Sequence, residues 1–163
     1  MQRLAVRRDT TISNHLDTEQ IRYFDLQDAL PEGHTLALNT RLGTLSYLHA
    51  CDGKRPRMYV QQQFTNSELS LLLPLLEHYP HYCPHEVMFA NFYNGNVTEK
   101  TIARARQRLQ EAMEYGTWDH EMRPVRNVLS RTRLKLKDFG MDVLSILETG
   151  YILMVTTKPA LEE

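Results

Sequence analysis

An α+β fold, with an N-terminal antiparallel sheet, a helical core and a C-terminal β-hairpin, is predicted for this chain by three observations. Residues 21–63 break into four short, partly alternating segments separated by turn formers. Residues 65–138 carry apolar stripes at helical spacing behind identifiable caps, and residues 143–156 hold two β-rich runs around a glycine. At 163 residues the chain suits one domain with a sizeable core rather than two.

Taken in order, residues 1–20 combine an apolar-basic start with a polar run and are read as an N-terminal arm or an extra strand. Ile21 to Leu26, His34 to Asn39, Thr44 to His49 and Arg57 to Gln62 follow as strands. Pro31-Glu32-Gly33, Arg41-Leu42-Gly43 and Asp52-Gly53-Lys54 supply the turns between the later ones. Thr65-Asn66-Ser67-Glu68 has the spacing of a capping box and opens an apolar helix from Leu69 to Leu76. Pro74 lies inside that run and removes one intrahelical hydrogen bond, so the helix either kinks there or is shorter than the run. Pro84 opens a second helix through Val87, Met88, Phe89, Phe92 and Tyr93, whose aromatic residues are read as core.

The helix from Val125 is the most informative element. At about 100° per residue, Val125, Val128, Leu129, Thr132 and Leu136 form one stripe roughly 100° wide, enough to bury against a core. Arg126, Ser130, Arg133 and Lys137 fall together outside it, and Asn127, Arg131 and Leu134 continue that outer face. Such a face offers charge for phosphate, an amide for a base edge and an apolar chain for the thymine methyl. Asp138-Phe139-Gly140 reads as the helix end, with glycine as the left-handed cap. Val143 to Leu147 and Tyr151 to Thr156 are then two strands, and Glu148-Thr149-Gly150 a tight turn with one residue free to take positive φ. Residues 158–163 are left as a tail.

Composition narrows the class. Hydrophobic content of 42% and charged content of 24% fit a globular chain. No apolar run approaches the ~20 residues of a membrane span, and MQRLAVRRD lacks a signal-peptide pattern, so no membrane association and a cytoplasmic location are expected. Two cysteines, Cys51 and Cys83, are too few for a disulfide framework, although one bridge between them stays open. A net charge of −1 is low for a chain that binds phosphates, but Met122 to Asp138 holds six basic residues and one acidic one.

Thr132-Arg133-Leu134-Lys135-Leu136, followed by Gly150-Tyr151-Ile152-Leu153, resembles the end of the OmpR-type winged helix-turn-helix DNA-binding domain of bacterial transcription regulators. That family has a recognition helix ending in Leu-Arg-x-Lys-Leu and a hairpin ending in Gly-Tyr-x-Leu. The resemblance implies an N-terminal antiparallel sheet before the helices and a hairpin wing. Two positions depart from it: Thr132 stands where leucine is usual, and Glu148-Thr149 where an arginine often enters a minor groove. The family usually carries a phosphorylatable receiver; only about 20 to 60 residues precede the winged-helix features here, so no receiver is expected within this sequence unless it is a fragment of a longer regulator.

Between its second and recognition helices the family has a short loop, where some members touch RNA polymerase. Here residues 97–114 are read as an additional, inserted helix, started by Asn96 with Glu99 three residues later and stopped near Gly116. Ile102, Ala105, Leu109, Ala112 and Met113 make its apolar face; Lys100, Arg104, Arg106 and Arg108 make the opposite one basic. That basic face would add backbone contacts through Lys100, Arg104 and Arg108, act as the recognition element itself, or be a solvated face closing the core.

His78, His81, Cys83 and His85, which His49 and Cys51 could approach in the fold, are potential metal ligands, but their spacing lacks two separated ligand pairs and suits a polar interhelical loop. No metal and no cofactor are expected. Glycine-rich phosphate loops, nucleophile elbows and paired acids with a histidine partner are missing from the sequence, so no enzyme is expected. The expected function is sequence-dependent binding of double-stranded DNA in transcription regulation, through Arg126, Asn127, Ser130, Arg131, Arg133 and Lys137 with Lys100, Arg104 and Arg108 as auxiliaries. A homodimer and an RNA polymerase or other protein contact are compatible with it. The alternative is a protein-docking module of the same fold without specific DNA binding.

Overall fold

The computed structural model describes residues 20–50 and 55–156. The expected N-terminal arm up to residue 19, the turn at 52–54, Cys51 with any bridge to Cys83, and the C-terminal tail therefore lie outside the described residues.

Four strands, β1 (Ile21–Phe24), β2 (His34–Asn39), β3 (Thr44–His49) and β4 (Arg57–Gln63), form an antiparallel sheet in sequential order. The alternation read from the sequence sets its faces: Leu36 stands opposite Tyr47 and Leu38 opposite Leu45, and all four are fully buried. Burial of each such side chain contributes about 1.5–3 kcal/mol. The Tyr47 hydroxyl, which could not be left bare at this depth, is hydrogen-bonded to His34 Nδ1 at 2.7 Å. β1 stops at Phe24, two residues before the expected end, because Leu26, Gln27 and Asp28 all take positive φ. That left-handed turn is held by Asp25 Oδ1, which accepts from the Gln27 amide, and by the Ala29 amide donating to Leu26.

Helix α1 (Asn66–His78) begins on the expected capping box, with Thr65 and Glu68 each accepting from the other's backbone N–H. It continues through Pro74. The carbonyl that the proline leaves without an intrahelical donor is that of Ser70, and Asn91 Nδ2 donates to it at 2.7 Å. A partner from the next helix thus permits a proline that the local sequence alone would read as a break.

A two-residue strand β5 (Cys83–Pro84) leads into α2 (His85–Asn94). The inserted helix α3 (Glu99–Tyr115) is capped by Thr98, with Thr101 reaching back, rather than by Asn96 with Glu99. Ala105, Leu109 and Ala112 are buried and Ile102 packs on the core, but Met113 is exposed, so the apolar face is narrower than expected. After Gly116 and Thr117, α4 (Trp118–Leu136) begins seven residues before Val125 and runs through Pro124. Its expected stripe is the buried one: Val125, Val128, Leu129, Thr132 and Leu136, joined by Met122.

A 3-10 turn (Lys137–Phe139) ends at Gly140 with φ 74°, the left-handed cap foreseen from Asp138-Phe139-Gly140. Strands β6 (Met141–Ile146) and β7 (Gly150–Val155) form the hairpin, and β5 adds to it in the order β5-β7-β6. The positive φ of the hairpin turn belongs to Glu148, not Gly150. Gly150 serves a different need: a Cβ there would meet the Cys83 carbonyl oxygen at 2.0 Å, so only glycine allows β5 this close. Side chains of the first sheet, α1, α2, α4 and the hairpin share one hydrophobic core.

Candidate nucleic-acid interface

The outer face of α4 is exposed as its wheel requires: Asn127, Ser130, Arg131, Arg133, Leu134 and Lys137 are all exposed, and Arg126 is half-buried. Thr132, the polar residue in the buried stripe, is 0% exposed and donates its hydroxyl to the Val128 carbonyl at 3.0 Å. This local bond satisfies a group that would otherwise be stranded in the core.

Four of the basic side chains on this helix, Arg126, Arg131, Arg133 and Lys135, are paired with carboxylates. Arg133 makes a forked pair with Asp142 on β6, at 2.8 and 3.2 Å, which ties the helix to the hairpin. That guanidinium holds the Asp142 carboxyl below its usual range. Arg126 reaches back to Asp119 at 3.4 Å and to its carbonyl at 3.2 Å. Arg131 lies 3.6 Å from Glu68, and Lys135 turns inward to the same carboxylate at 2.7 Å. Ser130 donates to the Arg126 carbonyl at 3.1 Å. Asn127, Arg123 and Lys137 enter no ion pair among the described residues. The basic density of the sequence is therefore partly balanced by carboxylates from α1, β6 and α4 itself.

The inserted helix is balanced in the same way. Arg108 pairs with Glu121 on α4 at 2.8 Å and covers the rings of Phe89 and Tyr93, so it joins α2, α3 and α4 rather than projecting from them. Arg106 pairs with Glu86 at 3.3 Å. Lys100 and Arg104 are exposed, and no hydrogen bond or ion pair among the described residues joins either to α4. Sequence reasoning passed over Asp142, Asp119 and Glu68 as counter-charges, because the nearest local signal, the capping box at Glu68, says nothing of a lysine 67 positions away.

The histidine and cysteine residues of the interhelical loop go separate ways. His78 Nδ1 bonds the Pro74 carbonyl at 2.8 Å, and Cys83 is buried in β5, where desolvation followed by Glu77 and Glu86 pushes its thiol up to about 12. His85 is 7% exposed between Trp118 and Tyr151, with ring centroids 5.1 and 5.2 Å away, and burial lowers its pKa from 6.5. Among the described residues no group of three or more His, Cys, Asp or Glu side chains is placed to hold a metal. No helix of the described residues is long and apolar enough to cross a membrane.

Among the described residues, the fold and this face define an α+β protein with two antiparallel sheets, four α-helices and a basic, largely paired helix beside a hairpin. No protein-family model matches the chain, and neither a curated protein nor a solved structure gives a significant match to it.

Proposed function

We propose that the chain is a winged helix-turn-helix protein that binds double-stranded DNA in a sequence-dependent way and regulates transcription. α4 is its recognition helix and β6–β7 its wing. The observation that carries this reading is the exposed row Asn127, Ser130, Arg131, Leu134 and Lys137 on a helix whose opposite stripe is buried and whose Arg133 is tied to the first strand of the hairpin. Ion pairs at partly exposed arginines are each worth only about 0–1 kcal/mol, so a phosphate can replace the carboxylate at little net loss. Arg126, Arg131 and Arg133 would exchange partners in this way, while Lys100 and Arg104 would add backbone contacts. A cytoplasmic homodimer touching RNA polymerase or another protein is compatible with this reading.

A second reading, docking to a protein without specific DNA binding, draws on the exposed apolar residues beside the same face: Leu134 at 64%, Leu144 at 48% and Leu147 at 84%. Selection on a randomised duplex pool, followed by affinity for the winner and a scrambled duplex across a salt series, separates the two. DNA regulation requires one enriched motif with at least ~10³-fold preference near physiological salt. No enrichment, with affinity no better than ~10⁻⁴ to 10⁻⁶ M, would assign the face to a protein partner.

A further inference from the structure

A cavity of about 470 Å³ opens where the end of α3, the first turns of α4, the start of α2 and the hairpin turn meet. Its volume falls in the range of small-molecule sites, roughly 300–1,000 Å³. Trp118 and Tyr151 present aromatic surface to it, and His85 lines it between them. The His85 imidazole is more than nine-tenths buried and makes no side-chain hydrogen bond to another described residue. A buried imidazole whose nitrogens have no hydrogen-bond partner among the described residues calls for one. Charges of both signs complete the lining: the guanidinium of Arg126, and the carboxylates of Asp119 and Glu148. Arg126 holds Asp119 only at 3.4 Å, and Glu148 joins no ion pair among the described residues.

We infer that this cavity binds a small zwitterion with an aromatic side chain, of the free aromatic amino acid class. The ring packs on Trp118 and Tyr151, the carboxylate takes the Arg126 guanidinium, and the ammonium takes Glu148 and Asp119. His85 supplies the remaining hydrogen bond. An anion without an ammonium would face the two carboxylates unrelieved, and a cation without a carboxylate would face Arg126. Since Arg126 also belongs to the proposed DNA face, an occupant would withdraw a cation from it; that consequence alone rests on the DNA-binding reading.

The single tryptophan of the chain lies in the cavity and reports on it directly. Three probes are titrated into the full chain without DNA: L-phenylalanine, 3-phenylpropionate, which lacks the ammonium, and phenethylamine, which lacks the carboxylate. Trp118 emission and calorimetry are the readouts. L-Phenylalanine is expected to saturate one site, with both analogues at least ~10-fold weaker, a loss of about 1.4 kcal/mol each. R126Q should bring L-phenylalanine down to the level of phenethylamine. E148Q, at the exposed hairpin turn, should weaken L-phenylalanine and phenethylamine and, by removing one of the two opposing carboxylates, strengthen 3-phenylpropionate. Circular dichroism confirms that each variant is folded before it is scored. No saturable binding of L-phenylalanine, or equal binding of either analogue, would overturn the inference. Because no duplex is present, neither result depends on whether the chain binds DNA.

Discussion

Lys135 Nζ on α4 donates to Oε1 of Glu68 on α1 at 2.7 Å, and the carboxylate it reaches is only 2% exposed. The same ammonium donates to the Gln63 carbonyl at 2.8 Å, so one side chain fastens α4 to the end of β4 and the start of α1. Burial alone would raise the Glu68 pKa; the Lys135 hydrogen bond, the Thr65 amide and the Arg131 charge outweigh it and hold the group below 4.5. A depressed carboxyl stabilises the fold above its unfolded value and loses that contribution as pH falls through the lower folded one. K135M leaves this buried carboxylate with only the Thr65 amide and the Arg131 guanidinium and should cost about 3 kcal/mol in urea unfolding at neutral pH. The deficit should narrow as pH falls through the folded value of Glu68 in the variant toward the lower one in the unaltered chain; a pH-independent deficit would mean lost packing instead.

Asn91 and Pro74 are coupled through the Ser70 carbonyl. N91A leaves that acceptor without a donor and should cost about 1–3 kcal/mol. P74A returns an N–H to the helix, so N91A should cost less in that background. A double-mutant cycle with no coupling would show that Asn91 contributes only packing.

His85 is kept neutral by burial, with Glu86 opposing the shift only in part. Its unfolded form takes up protons at a higher pH than its folded form. Stability from this group is therefore full above 6.5 and falls as pH drops from there toward the folded value. Thermal midpoints of the unaltered chain and of H85F between pH 7.5 and 5 should diverge, with the flatter profile in H85F.

Arg133 is presented to the hairpin by Asp142. D142N should change stability by less than about 1 kcal/mol, because the arginine of the pair is 44% exposed. If α4 meets DNA, the released guanidinium should raise non-specific affinity and steepen the salt dependence by about 0.9 in log–log slope. R133A should cost about 1–3 kcal/mol at one preferred base pair if Arg133 reads guanine, or the same on every duplex if it grips phosphate. A D142N variant with unchanged duplex affinity and slope would remove Arg133 from the interface.

Gly150→Ala drives a Cβ into the backbone of Cys83 and should separate β5 from β7. A loss of about 1–3 kcal/mol or more is expected in thermal unfolding, with faster amide exchange at Tyr151, whose strand partner is Cys83.

Much of the fold follows from short-range chemistry. Period-two alternation places Leu36, Leu38, Leu45 and Tyr47 on one face, Thr65 and Glu68 cap α1 by themselves, Gly140 ends the helical run, and the stripe from Val125 to Leu136 is buried as its spacing demands. Each rests on residues within a few positions of one another. The start of α4 at Trp118 was not legible, since Pro124 mimics a helix boundary and Thr117 makes no side-chain cap. The site divides along the same line. Which side chains point outward from α4 is a matter of angular spacing, and the sequence carries it. Which of them keep their charge available depends on Asp142, Asp119 and Glu68, and only the packing of α1, α4 and the hairpin brings those carboxylates within reach. The same holds for Ser70 with Asn91, Gly150 with Cys83, and His85 with Trp118 and Tyr151. Helical and strand periodicity are properties of neighbouring residues along the backbone; charge pairing and close approach depend on distances between distant segments, which exist only once the chain has packed.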